Sequence, residues 1–64
     1  MTLLDEYYDY REGAIASKEK QIVFSIITDM SDRSGLGNEW DSIDDDIKEE
    51  IIEKWLNIVN NKLS

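Results

Sequence analysis

Fifteen carboxylates, seven cationic side chains and no histidine or cysteine bound the chemistry this chain can attempt. Without histidine or cysteine the common nucleophile–base pairings cannot be assembled, and a zinc site built from nitrogen and sulfur ligands is excluded. Carboxylate chemistry is what remains. Its densest candidates are Asp44-Asp45-Asp46 with Glu49, Glu50 and Glu53 close behind. Acid–base use needs a concave, partly dry site that shifts a carboxyl pKa, and a helical chain of 64 residues rarely encloses one. The calcium-loop pattern of alternating acids, a glycine and a distal glutamate fits in no register, because the glycine is missing. The sequence therefore predicts no enzyme, no metal and no cofactor. A simpler cause accounts for the run of aspartates: acids in the first turn of a helix oppose its positive end, each contributing about 0.3–1 kcal/mol when exposed.

The charge distribution says more than its total of −8. Residues 1–12 carry −3, residues 13–38 balance to zero, residues 39–53 carry −7 and residues 54–64 carry +2. Direct nucleic-acid binding and anionic membranes are disfavoured, because no Lys or Arg cluster offsets the repulsion. Such a field instead attracts a basic protein surface. Asp46, Glu49, Glu50 and Glu53 form its continuous patch, with like charges at i, i+4 that cost a helix a few tenths of a kcal/mol each. Asp44 to Lys48 and Glu50 to Lys54 are the spacings that can offset this. Carboxylates about 5–6 Å apart along a rigid helix roughly imitate a phosphate backbone, so the patch can occupy a basic groove that handles nucleic acid. The competing reading is a solvated face that keeps a small protein soluble.

These carboxylates must be positioned by helices. Thr2 followed by Asp5 is a helix-start pattern, and Leu3, Leu4, Tyr7, Tyr8 and Tyr10 fall on one side of a first helix beginning at Leu3. From Ser17 the apolar series Ile22, Val23, Ile26, Ile27 and Met30 defines a second helix. The two stripes lie about 110° apart on a straight helix, which predicts a break between Gly13 and Ser17; a continuous helix bent over its partner is the alternative. Ser31 to Asn38 is read as the loop, with Gly35 as a left-handed residue beyond the helix end and Leu36 folded back to plug the hairpin; an exposed leucine anchor for a partner is the alternative reading of Leu36. A third helix is expected from about Ser42, capped through Asp45. Ile43, Ile47, Ile51, Trp55 and Val59 recur every fourth position, so Asp41 to Leu63 is expected to be one rod, apolar on one flank and acidic on the other, its apolar face widening through Ile51, Ile52, Trp55, Leu56, Ile58, Val59 and Leu63 to about 160°, enough to lie across two helices. No segment alternates like a strand and there is no proline.

Among the aromatics, Tyr7 is expected in the core, with Tyr8 or Tyr10 at a boundary. Trp40 is expected to fold onto the hairpin and Trp55 to fill the centre of the third helix's wide face. Phe24 lies about 100° off the stripe of its helix, so either that helix is buried on two sides or a phenylalanine faces solvent or a partner.

A domain of this size buries only about 60% of the surface its unfolded chain exposes, and association is a common remedy for so small a core. The chain opens Met1-Thr2-Leu3-Leu4 and turns acidic at Asp5, unlike a signal peptide, and its longest apolar run, Ile22-Val23-Phe24, is far too short to span a bilayer. A cytoplasmic location is the expectation.

The segment Asp32-Arg33-Ser34-Gly35-Leu36-Gly37, with Trp40, Ile43-Asp44, Asp46-Ile47, Glu50-Ile51 and Trp55, resembles a helix-loop-helix stretch of small uncharacterised phage-encoded proteins. The resemblance covers about residues 32–55 and carries no catalytic residue. It implies a phage source, where short acidic proteins often bind and disable a host protein.

Residues 1–64 are thus read as one all-α, three-helix domain, the second and third helices forming an antiparallel hairpin. The expected function is stoichiometric binding to a protein with a basic surface, as an inhibitor or nucleic-acid-mimicking decoy, through Asp46, Glu49, Glu50 and Glu53, with Phe24 as a further contact. The alternative is an assembly module that forms a homodimer through surplus apolar residues such as Phe24, Leu56 and Leu63.

Overall fold

The computed structural model describes residues 2–63, which form four helices: α1 (Leu3–Arg11), α2 (Lys18–Ser31), α3 (Leu36–Ser42) and α4 (Asp45–Leu63). There is no strand among the described residues, so the all-α expectation holds, while the count of three helices does not.

Local chemistry sets each boundary. At α1 the Thr2 hydroxyl accepts from the Asp5 N–H at 3.1 Å and Thr2 N–H donates to the Asp5 carboxylate at 3.3 Å, the reciprocal cap read from the sequence. Gly13 follows at φ +109°, a conformation that strains any residue with a Cβ, and the chain breaks there as the diverging stripes require. It restarts when the Ser17 hydroxyl caps α2. A single bent helix is therefore ruled out.

The expected loop between Ser31 and Asn38 is half helix. Gly35 does adopt positive φ, +89°, but it starts α3 rather than trailing α2. Gly37 N–H donates to the Arg33 carbonyl at 2.8 Å, and a Cβ at Gly37 would lie 2.2 Å from the Ser31 carbonyl oxygen. That approach lets α3 fold back on the end of α2 with no intervening side chain. Leu36 is not the hairpin plug: it is 53% exposed, and Trp40, 4% exposed, enters the core in its place.

The expected rod from Asp41 to Leu63 is also broken. Ser42 does not cap a third helix; its hydroxyl donates to the Glu39 carbonyl at 2.9 Å and closes α3. Ile43 is extended (φ −75°, ψ 139°), after which the Asp44 carbonyl accepts the first bonds of α4 from Ile47 and Lys48. Serine and aspartate serve either end of a helix through different atoms, so the pattern Ser42-x-x-Asp45 was ambiguous.

α4 packs against both α1 and α2, α3 lies against α2, and the chain has a radius of gyration of 11.5 Å. Val23 and Ile26 meet the Trp55–Val59 turn whereas Met30 lies nearer Ile51, so α2 and α4 run antiparallel, joined through α3. Tyr7, Phe24, Ile27 and Ile52 are fully buried at the centre, with Leu4, Val23, Trp40 and Leu56 around them. The Tyr7 and Phe24 rings meet edge-on at 5.8 Å between centroids, and Tyr10 closes over Phe24 at 5.6 Å. Helix α2 is thus buried on two sides, under α1 and against α4. Phe24 is a core residue and is not presented to a partner, which removes it from the candidate binding residues. Among the described residues no helix is long and apolar enough to cross a membrane.

Candidate functional site

The buried line of α4 runs Lys48, Ile52, Leu56; Ile52 and Leu56 belong to the wide apolar face expected to cross two helices, while the line as a whole lies one helical step from the every-fourth-residue stripe and takes in Lys48. Ile51, Trp55 and Val59 flank that line, while Ile47 and Ile58 are 45% and 55% exposed. The rotation has a physical cause. α1 and α2 both press on α4, and the buried strip is the one facing the crevice between them. Lys48, expected to offset Asp44 on the surface, is 6% exposed, its ammonium 5.6 Å from the centroid of the Trp40 ring. Its aliphatic stem covers the core as Lys stems do when the head finds an aromatic face.

On the opposite side Asp46, Glu50 and Glu53 are exposed, as the sequence places them. Glu49 is not part of that free surface. Its carboxylate crosses to α1 and accepts the Leu3 N–H at 3.0 Å and the Leu4 N–H at 2.7 Å. Two of the first-turn donors that a helix leaves unsatisfied are thereby bonded by a residue 46 and 45 positions away. The negative charge also meets the positive end of the α1 dipole. Glu49 is a structural cap, and nothing in the sequence marks it out from Glu50 or Glu53, because the cap depends on where α1 docks.

Thr2, Leu4, Asp5, Asp45, Asp46 and Glu49 line an open cleft of about 390 Å³ where α1 and α4 begin. Among the described residues no group of three or more His, Cys, Asp or Glu side chains is placed to hold a metal ion. Asp46 instead accepts from its neighbour's Ile47 N–H at 3.0 Å, as a first-turn acid does.

The ion pairs among the described residues are Arg11–Asp32 at 4.0 Å, Lys20–Glu6 at 2.6 Å and Arg33–Asp29 at 2.9 Å. None of them involves a carboxylate of α4. The expected Glu50–Lys54 offset is not among them, so the field of Asp46, Glu50 and Glu53 is left to solvent or a partner.

A second surface was not read from the sequence. Val23, Ile26, Trp55, Ile58 and Val59 line a shallow, almost wholly apolar groove of about 260 Å³ between α2 and α4. A hollow of about 190 Å³ continues it past Trp55 towards Met30, Leu36, Ile43 and Ile51. Trp55 is thus a half-buried floor shared by both hollows and not the centre of a closed face. Of the apolar residues expected at a homodimer seam, Phe24 and Leu56 are core and only Leu63 is exposed.

No family model, no curated protein and no solved structure matches the chain.

Proposed function

We propose that this chain is a stoichiometric protein-binding module whose α4 face, Asp46, Glu50 and Glu53, engages a basic surface and acts as an inhibitor or decoy in place of nucleic acid. One observation carries the reading. Three acidic side chains at i, i+4 and i+7 project from a 19-residue helix, and among the described residues no cation pairs with them. A rigid, uncompensated row of carboxylates steers a cationic partner and is desolvated at little geometric cost once that partner supplies the counter-charges. Asp45, at the same end of α4, extends the row towards Asp5. The resemblance to phage-encoded proteins fits a host target.

The test is capture of binding proteins from bacterial lysate by the wild type and by Glu50→Lys/Glu53→Lys, at low and high salt, with duplex DNA as competitor. The expected result is a basic partner that DNA displaces, that high salt releases and that the reversed variant fails to hold while keeping its helical circular dichroism. Retention that is indifferent to salt, or equal retention by the reversed variant, refutes the proposal. Glu49 is excluded from the reversal set, since its replacement disturbs α1 first.

A further inference from the structure

We infer that the apolar groove between α2 and α4 is a self-association seam, occupied by the same groove of a second copy of this chain. Ile26 and Ile58, 57% and 55% exposed, form its lips, and Trp55 lies at its middle. Water against so continuous an apolar strip is unfavourable, and an apolar partner removes it.

Charge decides which partner. At about 100° per residue, Lys54 and Lys62 fall on the groove side of α4, beyond or within the strip of Ile47, Ile51 and Ile58, while Asp46, Glu50 and Glu53 fall on the far side. By the same spacing Glu19 falls on the groove side of α2, whereas Asp29, further round, is already paired with Arg33 at 2.9 Å and has Lys18 on the same side. The groove therefore carries cations along α4 and one acid, Glu19, at its α2 end, although the chain as a whole carries −8. A basic partner meets repulsion along α4 and an acidic one at Glu19. A second copy suits both, because a two-fold axis along the groove exchanges them. That axis lays each α4 antiparallel over the other copy's α2. Val23 packs at the level of Val59, so Glu19 lies one turn further on, at the level of Lys62, and meets the second copy's Lys62. A two-fold across the groove would instead stack α4 on α4 and set Lys54 against Lys54, like against like. The acids of α4 point away from the seam in the favoured arrangement, so each copy keeps its basic-partner face.

Sedimentation equilibrium over a concentration series of the intact chain tests this. The wild type is expected to be a monomer–dimer system, and Ile58→Asp, at an exposed position, to weaken dimerisation by about a hundredfold with helical content retained. Glu19→Lys and Lys62→Glu, neither of which touches the core, are each expected to weaken it by about tenfold, and the double swap in one chain to restore it. A wild type that stays monomeric to millimolar concentration overturns the inference. So does a dimer indifferent to Ile58→Asp, or reversals that the double swap fails to rescue. Glu50→Lys/Glu53→Lys leaves this dimer unchanged, which separates its failure from that of the acidic face.

Discussion

Removing the carboxylate of Glu49 is expected to loosen α1 from the rest of the molecule. The two bonds it accepts, 3.0 and 2.7 Å from the Leu3 and Leu4 nitrogens, are charge-assisted and join residues distant in sequence. Bonds to a charged group contribute about 1.5–3 kcal/mol each, but first-turn N–H groups are partly rehydrated once the carboxylate is gone. A net loss of about 2–3 kcal/mol for Glu49→Ala follows, including the lost interaction with the helix dipole. Against a total of about 3–10 kcal/mol for a domain of this length, that is a large fraction. It corresponds to a fall in Tm of roughly 10–20 °C at about 4–8 °C per kcal/mol. Glu49→Gln keeps the shape but offers one acceptor oxygen and sets an amide N–H against the second donor, so it falls between wild type and Glu49→Ala. Glu50→Ala and Glu53→Ala remove the same charge from exposed positions of the same helix and are expected within about 0.5 kcal/mol of wild type. Thermal unfolding followed by far-ultraviolet circular dichroism and by fluorescence of Trp40 and Trp55 supplies the measurement. Equal losses at Glu49, Glu50 and Glu53 would refute the capping role and return all three to a common surface patch.

Tyr7 is fully buried, and its hydroxyl has no hydrogen-bond partner among the described residues. An unsatisfied buried hydroxyl costs about 1–3 kcal/mol, so Tyr7→Phe is expected to stabilise the fold by about 1 kcal/mol in urea unfolding; destabilisation would show a partner for that oxygen. Gly37→Ala places a methyl against the Ser31 backbone, which has to move, and is expected to lower the urea midpoint by the equivalent of about 2 kcal/mol or more, whereas an unchanged midpoint would mean that α3 shifts freely on α2.

Local signals in the sequence were read correctly where one residue type and one spacing decide the structure. The Thr2–Asp5 cap, the break after Gly13, the Ser17 restart and the burial of Tyr7 are of this kind. What misled was decided by docking. The wide apolar face of α4 does lie across two helices, with Ile52 and Leu56 buried as expected, but how far the helix is turned is set by that docking, so Ile47 and Ile58 are exposed on the single chain and Lys48 is not. The short helix α3 went unread because its seven residues carry no stripe, only a glycine that permits a close approach. Of the acidic site, Asp46, Glu50 and Glu53 were legible by angle alone. Glu49 was not, since its role requires knowing where the first helix begins in space.

The bonds between the first turn of α1 and Glu49 also couple the formation of α1 to that of α4. Until Glu49 is brought alongside, two first-turn donors of α1 still face water. Its end is completed only when the start of α4 lies beside it, beyond two intervening helices. Such a distant closure makes the start of α1 depend on a contact of high sequence separation, because loop entropy must be overcome before the closing bonds form.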